Sequence, residues 1–164
     1  MKKWFAVLAA FAFLLAVQPQ EAEAQVSFGP QVVLWDFEEV GIGARVDIGL
    51  GESLGIEEGF FEELFASING NYVFGVGDLT VLLFNANASV PFEIDAAVTP
   101  YAGTGLNHWR VSGTGPFASG GATGLNLLGG IFFGLGDIPA FAELQYSTTG
   151  FGFLSVSAGV LFGG

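Results

Sequence analysis

GARVDIGL, residues 43–50, alternates strictly: Ala44, Val46, Ile48 and Leu50 share one side, while Gly43, Arg45, Asp47 and Gly49 share the other. A period of two belongs to a β-strand, whose successive side chains point to opposite faces. Arg45 and Asp47 therefore project from one face, and that face carries a pair of opposite charges in the middle of an otherwise apolar segment. Which side looks inward decides the fold. A soluble sheet hides its apolar side and wets the polar one, whereas a membrane barrel turns its apolar side to lipid and keeps the polar side within.

The pattern recurs along the chain. Ala66, Ile68, Tyr72 and Phe74 oppose Ser67, Asn69 and Asn71, and Leu82, Phe84, Ala86, Ala88 and Val90 oppose Asn85, Asn87 and Ser89. Ala140, Ala142, Leu144 and Tyr146 oppose Glu143 and Gln145, and Leu154, Val156, Ala158, Val160 and Phe162 oppose Ser155, Ser157 and Gly159. Eight segments of this kind lie at about 26–36, 40–50, 64–74, 79–90, 98–110, 123–133, 139–148 and 152–162, each bounded by Gly, Pro, Asp or Ser clusters. Their length, about 11 residues, is that of a tilted membrane-crossing strand. The turn at 51–63 is long enough to hide a further short hairpin.

The makeup of the polar side chooses between the two arrangements. A water-facing surface mixes both signs of charge generously; this one is Gly, Ser and Asn with a few charges, which suits a narrow interior where hydrogen-bond partners stand close. In hydrocarbon every backbone amide must be paired, and a closed barrel pairs all of them. The sequence therefore predicts an all-β, eight-stranded antiparallel up-and-down transmembrane β-barrel. Its lumen, about wide enough to be filled by side chains, is expected to hold a polar network of Arg45, Asp47, Asn69, Asn71, Asn85, Tyr101, Asn126, Glu143 and Gln145, with Trp35 and Trp109 helping to close it.

Residues 1–24 have the three regions of a cleavable signal peptide: Met1-Lys2-Lys3, an apolar run from Trp4 to Val17, and Ala22-Glu23-Ala24. Residues 25–164 then form one barrel domain with 14 acids against Arg45 and Arg110 and no lysine, so the net charge stays at −12. Nucleic acid, which is held by Lys and Arg, is excluded as a partner. With no cysteine, neither disulfides nor thiolate metal sites arise. So acidic a chain fits life at high salt, since net charge speaks to environment more than to fold.

Val98-Thr-Pro-Tyr-Ala-Gly-Thr-Gly-Leu106, Gly124-Leu-Asn-Leu-Leu-Gly-Gly130 and Pro139-Ala-Phe-Ala-Glu-Leu-Gln-Tyr146 resemble the small outer-membrane β-barrel family, the OmpA-like transmembrane domains. The resemblance spans nearly all of residues 25–164. It implies residence in the bacterial outer membrane, both termini in the periplasm and four loops outside, near 36–39, 75–78, 111–122 and 148–151. The turns near 51–63, 91–97 and 134–138 would then face the periplasm. Trp35, Phe74, Trp109 and Tyr146 would mark the outer membrane interface, and Phe28, Phe92, Phe133 and Phe162 the inner one. The family's members finish on an aromatic residue that the assembly machinery reads; Val156, Ala158, Val160 and Phe162 have that spacing, followed here by Gly163-Gly164.

Candidate chemistry is sparse. His108 is the sole histidine, and its nearest local hydroxyl, Ser112, is four residues away, about 13 Å along a strand. A base and its nucleophile must approach to about 3 Å, so a local pair fails and a rim histidine is the expectation. Glu52, Glu57, Glu58, Glu62 and Glu63 lack the spaced ligands and central glycine of a calcium loop and read as a solvated turn. No enzyme activity, cofactor or metal is expected. The expected partners are outer-membrane lipid, the assembly machinery through the last strand, and a surface ligand of unknown kind. The function expected is structural or surface-presenting, with a small pore or conduit for small or hydrophobic solutes as the alternative and a secreted soluble barrel as a third.

Overall fold

In the computed structural model, which describes residues 26–56, 58–74, 79–94, 96–113, 119–150 and 152–163, eight antiparallel strands close into a ring. They are β1 (Val26–Trp35), β2 (Glu39–Gly49), β3 (Phe65–Val73), β4 (Thr80–Pro91), β5 (Val98–Ser112), β6 (Ser119–Leu135), β7 (Ile138–Ser147) and β8 (Phe153–Val160). Each pairs with the next, and β1 pairs with both β2 and β8, so the sheet has no free long edge. The expected leader, residues 1–24, lies outside the described residues.

The strands begin and end close to where alternation begins and ends, with one exception. β5 and β6 run to 15 and 17 residues, beyond the expected 98–110 and 123–133, because Gly120, Gly121 and Ala122 keep pairing with Val111, Arg110 and Trp109 although they show no apolar rhythm. The segment at 51–63 holds a single 3-10 turn, Glu52–Leu54, and no hairpin strand among the described residues. Four connections (β1–β2, β3–β4, β5–β6 and β7–β8) gather at one end of the ring, here the loop end. The other three share the opposite end with Val26 and Phe162, here the terminus end.

Apolar side chains face outward. Ile42, Ile68, Leu106, Leu125 and Leu127 are more than half exposed, Leu127 most of all at 67%, and they alternate with buried Arg45, Asn69, Asn107 and Asn126 along the same strands. Single exposed apolar residues are ordinary in a soluble protein, but a continuous apolar exterior is not. The same parity makes the interior polar at mid-height.

The ring closes over a kink. After Val160 the chain buries Leu161, then resumes pairing with β1 as β9 (Phe162–Gly163) at Ser27 and Phe28. Gly29 makes this possible: a Cβ there would overlap the Val160 carbonyl oxygen and stand 3.2 Å from the Leu161 Cα. Gly29→Val is therefore expected to lower barrel stability by about 1–3 kcal/mol, the usual cost of overpacking. Urea unfolding in detergent micelles followed by tryptophan fluorescence tests this, and an unchanged midpoint would mean that the seam has slack.

Candidate functional site

The lumen is layered along the axis. At the loop end Val33, Val73, Val81, Leu83 and Phe153 form a buried cluster, with Trp35, Trp109 and Val111 packed on it; Trp35 meets Phe153 edge-on, with centroids 5.6 Å apart. Trp35 and Trp109, expected both to mark the outer interface and to help close the lumen, thus point inward at the loop end. They continue the inward parity of Gln31–Val33 and Tyr101–Asn107, and their rings close the cylinder. Phe74, Tyr146 and Phe162, each about half exposed, lie on the outer face, as does half-buried Phe133.

Below that plug lies a layer of amides. Asn69 Oδ1 accepts from Asn71 Nδ2 at 3.0 Å and Asn85 Nδ2 at 2.8 Å. Asn85 Oδ1 accepts from Asn107 at 2.8 Å, Gln145 at 3.0 Å and Asn126 at 3.1 Å. Gln31 donates to Asn71 Oδ1 at 2.6 Å, Ser147 to Asn126 Oδ1 at 2.7 Å, and Thr149 to Asn107 Oδ1 at 2.8 Å. Asn126 also donates to Asn87 Oδ1 at 2.9 Å. This network bridges β1 to β7 across the lumen. Amides serve because each carries both donors and an acceptor, so they link to one another without introducing net charge.

Nearer the terminus end sit the charges. Arg45 Nε donates to Asp47 Oδ1 at 2.7 Å, and Arg45 Nη1 donates to Glu143 Oε2 at 2.9 Å and Tyr101 Oη at 3.3 Å. The Tyr101 hydroxyl donates in turn to Glu143 Oε2 at 3.0 Å. The Arg45 Cζ stands 4.2 Å from the Phe141 ring centroid, within reach of a cation–π attraction. Arg45 is 1% exposed, and so buried a guanidinium survives only when paired. Gly130, opposite Tyr101 in β6, leaves room for the tyrosine, since a Cβ there would collide with its hydroxyl end. Phe65, Leu128 and Phe132 pack with Tyr101 to close this end, the Tyr101 and Phe132 rings stacking at 4.5 Å.

All nine residues expected in the lumen network are brought to the interior: Arg45, Asp47, Tyr101 and Glu143 in the charged layer, and Asn69, Asn71, Asn85, Asn126 and Gln145 in the amide layer. Gln31, Asn107, Ser147 and Thr149 join the second layer without having been singled out. Asn107 follows Gly103 and Gly105, which interrupt the polar rhythm, and Thr149 lies in an expected loop. Parity counted from Tyr101 would have found Asn107; nothing local marks Thr149.

On the outer face His108 Nδ1 lies 2.9 Å from Thr123 Oγ1 across the β5–β6 pair. The histidine thus has a hydroxyl partner on the neighbouring strand, which counting along its own strand misses. Among the described residues no group of three or more His, Cys, Asp or Glu is placed to hold a metal.

No family model matches the sequence, and no curated protein matches it. Solved structures do match the fold. The N-terminal β-barrel domain of Pseudomonas aeruginosa OprF superposes with a TM-score of 0.59 at 14% identity, over 87% of this chain and 100% of that one. Ail, the attachment invasion locus protein of Yersinia pestis, gives 0.54 at 18% identity over 87% and 100%. The outer membrane enzyme PagL gives 0.52 at 14% identity over 83% and 98%. The chain therefore has the eight-stranded fold of small outer-membrane barrels. PagL corrects one expectation: because an enzyme is built on this same fold, an eight-stranded barrel is no ground for excluding catalysis, and the expectation of no enzyme activity does not stand.

Proposed function

We propose that this barrel is an integral bacterial outer-membrane protein with a structural and surface-presenting role, a filled cylinder that holds the four connections of its loop end at the cell surface. The observation that carries the reading is the lumen itself. A cluster of apolar side chains at one end, hydrogen-bonded amides in the middle and a paired Arg45 near the other end set side chains in the lumen at three heights, which supports a filled cylinder over an open pore. The apolar exterior supports residence in lipid, and the half-buried row Leu154, Val156, Ala158 and Val160, ending at exposed Phe162, supports delivery by the assembly machinery through the last strand, after removal of residues 1–24 during export. Fold likeness alone leaves function open, so the site has to argue for itself.

Conductance is the test. Refolded barrel in a planar bilayer is expected to give no steady channel, in wild type and in an Arg45→Ala variant alike, because the apolar plug at the loop end remains in both. Steady openings that grow in Arg45→Ala would replace this reading with that of a small pore.

A further inference from the structure

Residues 25–164 hold two arginines and no lysine, and Arg45 is locked inside, so Arg110 is the exposed arginine. It stands on the outer face of β5, two residues from His108, near the loop end. Opposite it in β6 is Gly121. The point where a Gly121 side chain would begin is 2.8 Å from the Trp109 carbonyl oxygen and 3.7 Å from both the Arg110 Cα and the His108 Cε1, so no side chain from β6 stands between Arg110 and His108 on this face. The result is a notch at Gly121, with Arg110 and the His108 ring beside it and the Thr123 hydroxyl against the ring's Nδ1, next to the Cε1 that faces the notch. The surface beneath it is hydrocarbon-like: Leu106, Leu125 and Leu127 are 54%, 59% and 67% exposed. Among the described residues, the loop-end acids Asp36, Glu38 and Glu39 belong to the β1–β2 hairpin, at least three strands away around the ring.

A cation on a lipid-facing surface is costly unless it reaches anions at headgroup level. We infer that this notch docks the phosphate headgroup of one membrane lipid, Arg110 supplying the charge, His108 and Thr123 the polar rim, and the leucines below the bed for its acyl chain. The inference rests on the transmembrane reading of the barrel. A small chain with so large an excess of acid gains from it one defined anchor to an anionic leaflet.

Native mass spectrometry of the refolded barrel in zwitterionic detergent, with phosphatidic acid and phosphatidylcholine added in equal amounts, tests the site. Wild type is expected to retain one phosphatidic acid in preference to phosphatidylcholine, and Arg110→Gln to lower that retention about fivefold, the effect of one cation at an anionic surface. His108→Gln is expected to lower it less, and inorganic phosphate at the lipid's concentration to leave the lipid in place. Unchanged retention in Arg110→Gln, equal retention of the two lipids, or displacement by inorganic phosphate would each overturn the site. Gel mobility of unheated against heated samples separates the two levels of the argument. A variant with intact heat-modifiable mobility and unchanged lipid retention removes the site alone, whereas a wild type that never enters micelles as a heat-modifiable barrel removes the transmembrane reading and the site together.

Discussion

Arg45→Met is expected to lower the unfolding free energy by about 3–5 kcal/mol, because it leaves two buried carboxylates without a countercharge. The Asp47 and Glu143 side chains are only 8% and 3% exposed, so water cannot take over the role of the guanidinium. Methionine fills much of the arginine's volume against Phe141, which separates the charge effect from a cavity. The companion variant Arg45→Met with Asp47→Asn and Glu143→Gln removes all three charges and is expected to recover more than half of the loss, since a neutral, hydrogen-bonded set costs little compared with an unpaired charge. Tyr101→Phe takes away one hydroxyl while Arg45 still reaches Glu143, so it should cost only about 0.5–1.5 kcal/mol. Urea titration of the barrel in micelles ranks the three. Equal midpoints for Arg45→Met and wild type would mean that the ion cluster contributes nothing to the fold.

The parity that opens with Arg45 and Asp47 was legible from residue types alone because membrane strands alternate two chemistries. Arg45 and Tyr101 occupy the positions it assigns, and Glu143 meets them from β7, 98 residues from Arg45 along the chain. What the alternation could not show was height along the axis. Trp35 and Trp109 stand near strand ends, where an interfacial aromatic and a plugging aromatic look alike in sequence, so both places are expected of them; the parity of their own strands, shared with Val33 and Asn107, puts them inside. The His108–Thr123 pair was illegible for a related reason, since its members are 15 residues apart and meet only once the β5–β6 register is known. Glycine hid the remainder. Gly120 and Gly121 lengthen β6 through backbone pairing that carries no side-chain signature, and Gly103 and Gly105 mask the inward row leading to Asn107.

Leu127→Arg is the sharpest test of which side of the sheet meets lipid. Leu127 lies at the centre of the 17-residue β6, faces outward and is, among the described residues, the most exposed of the large apolar side chains. On the lipid face near mid-depth, an arginine is expected to cost about 2–4 kcal/mol; on a water-facing surface the same change would stay within about 0.5 kcal/mol. The two outcomes do not overlap. Refolding into phospholipid vesicles followed by urea titration measures the difference, and Glu63→Arg, in the exposed β2–β3 turn, serves as the reference for a new arginine outside the hydrocarbon, with an expected effect near zero. If Leu127→Arg and Glu63→Arg shift the midpoint equally little, the leucine row faces water. The amide layer would then need another explanation, because nothing in a soluble barrel requires its core to be built from Asn69, Asn85 and Asn126 while its leucines stay outside.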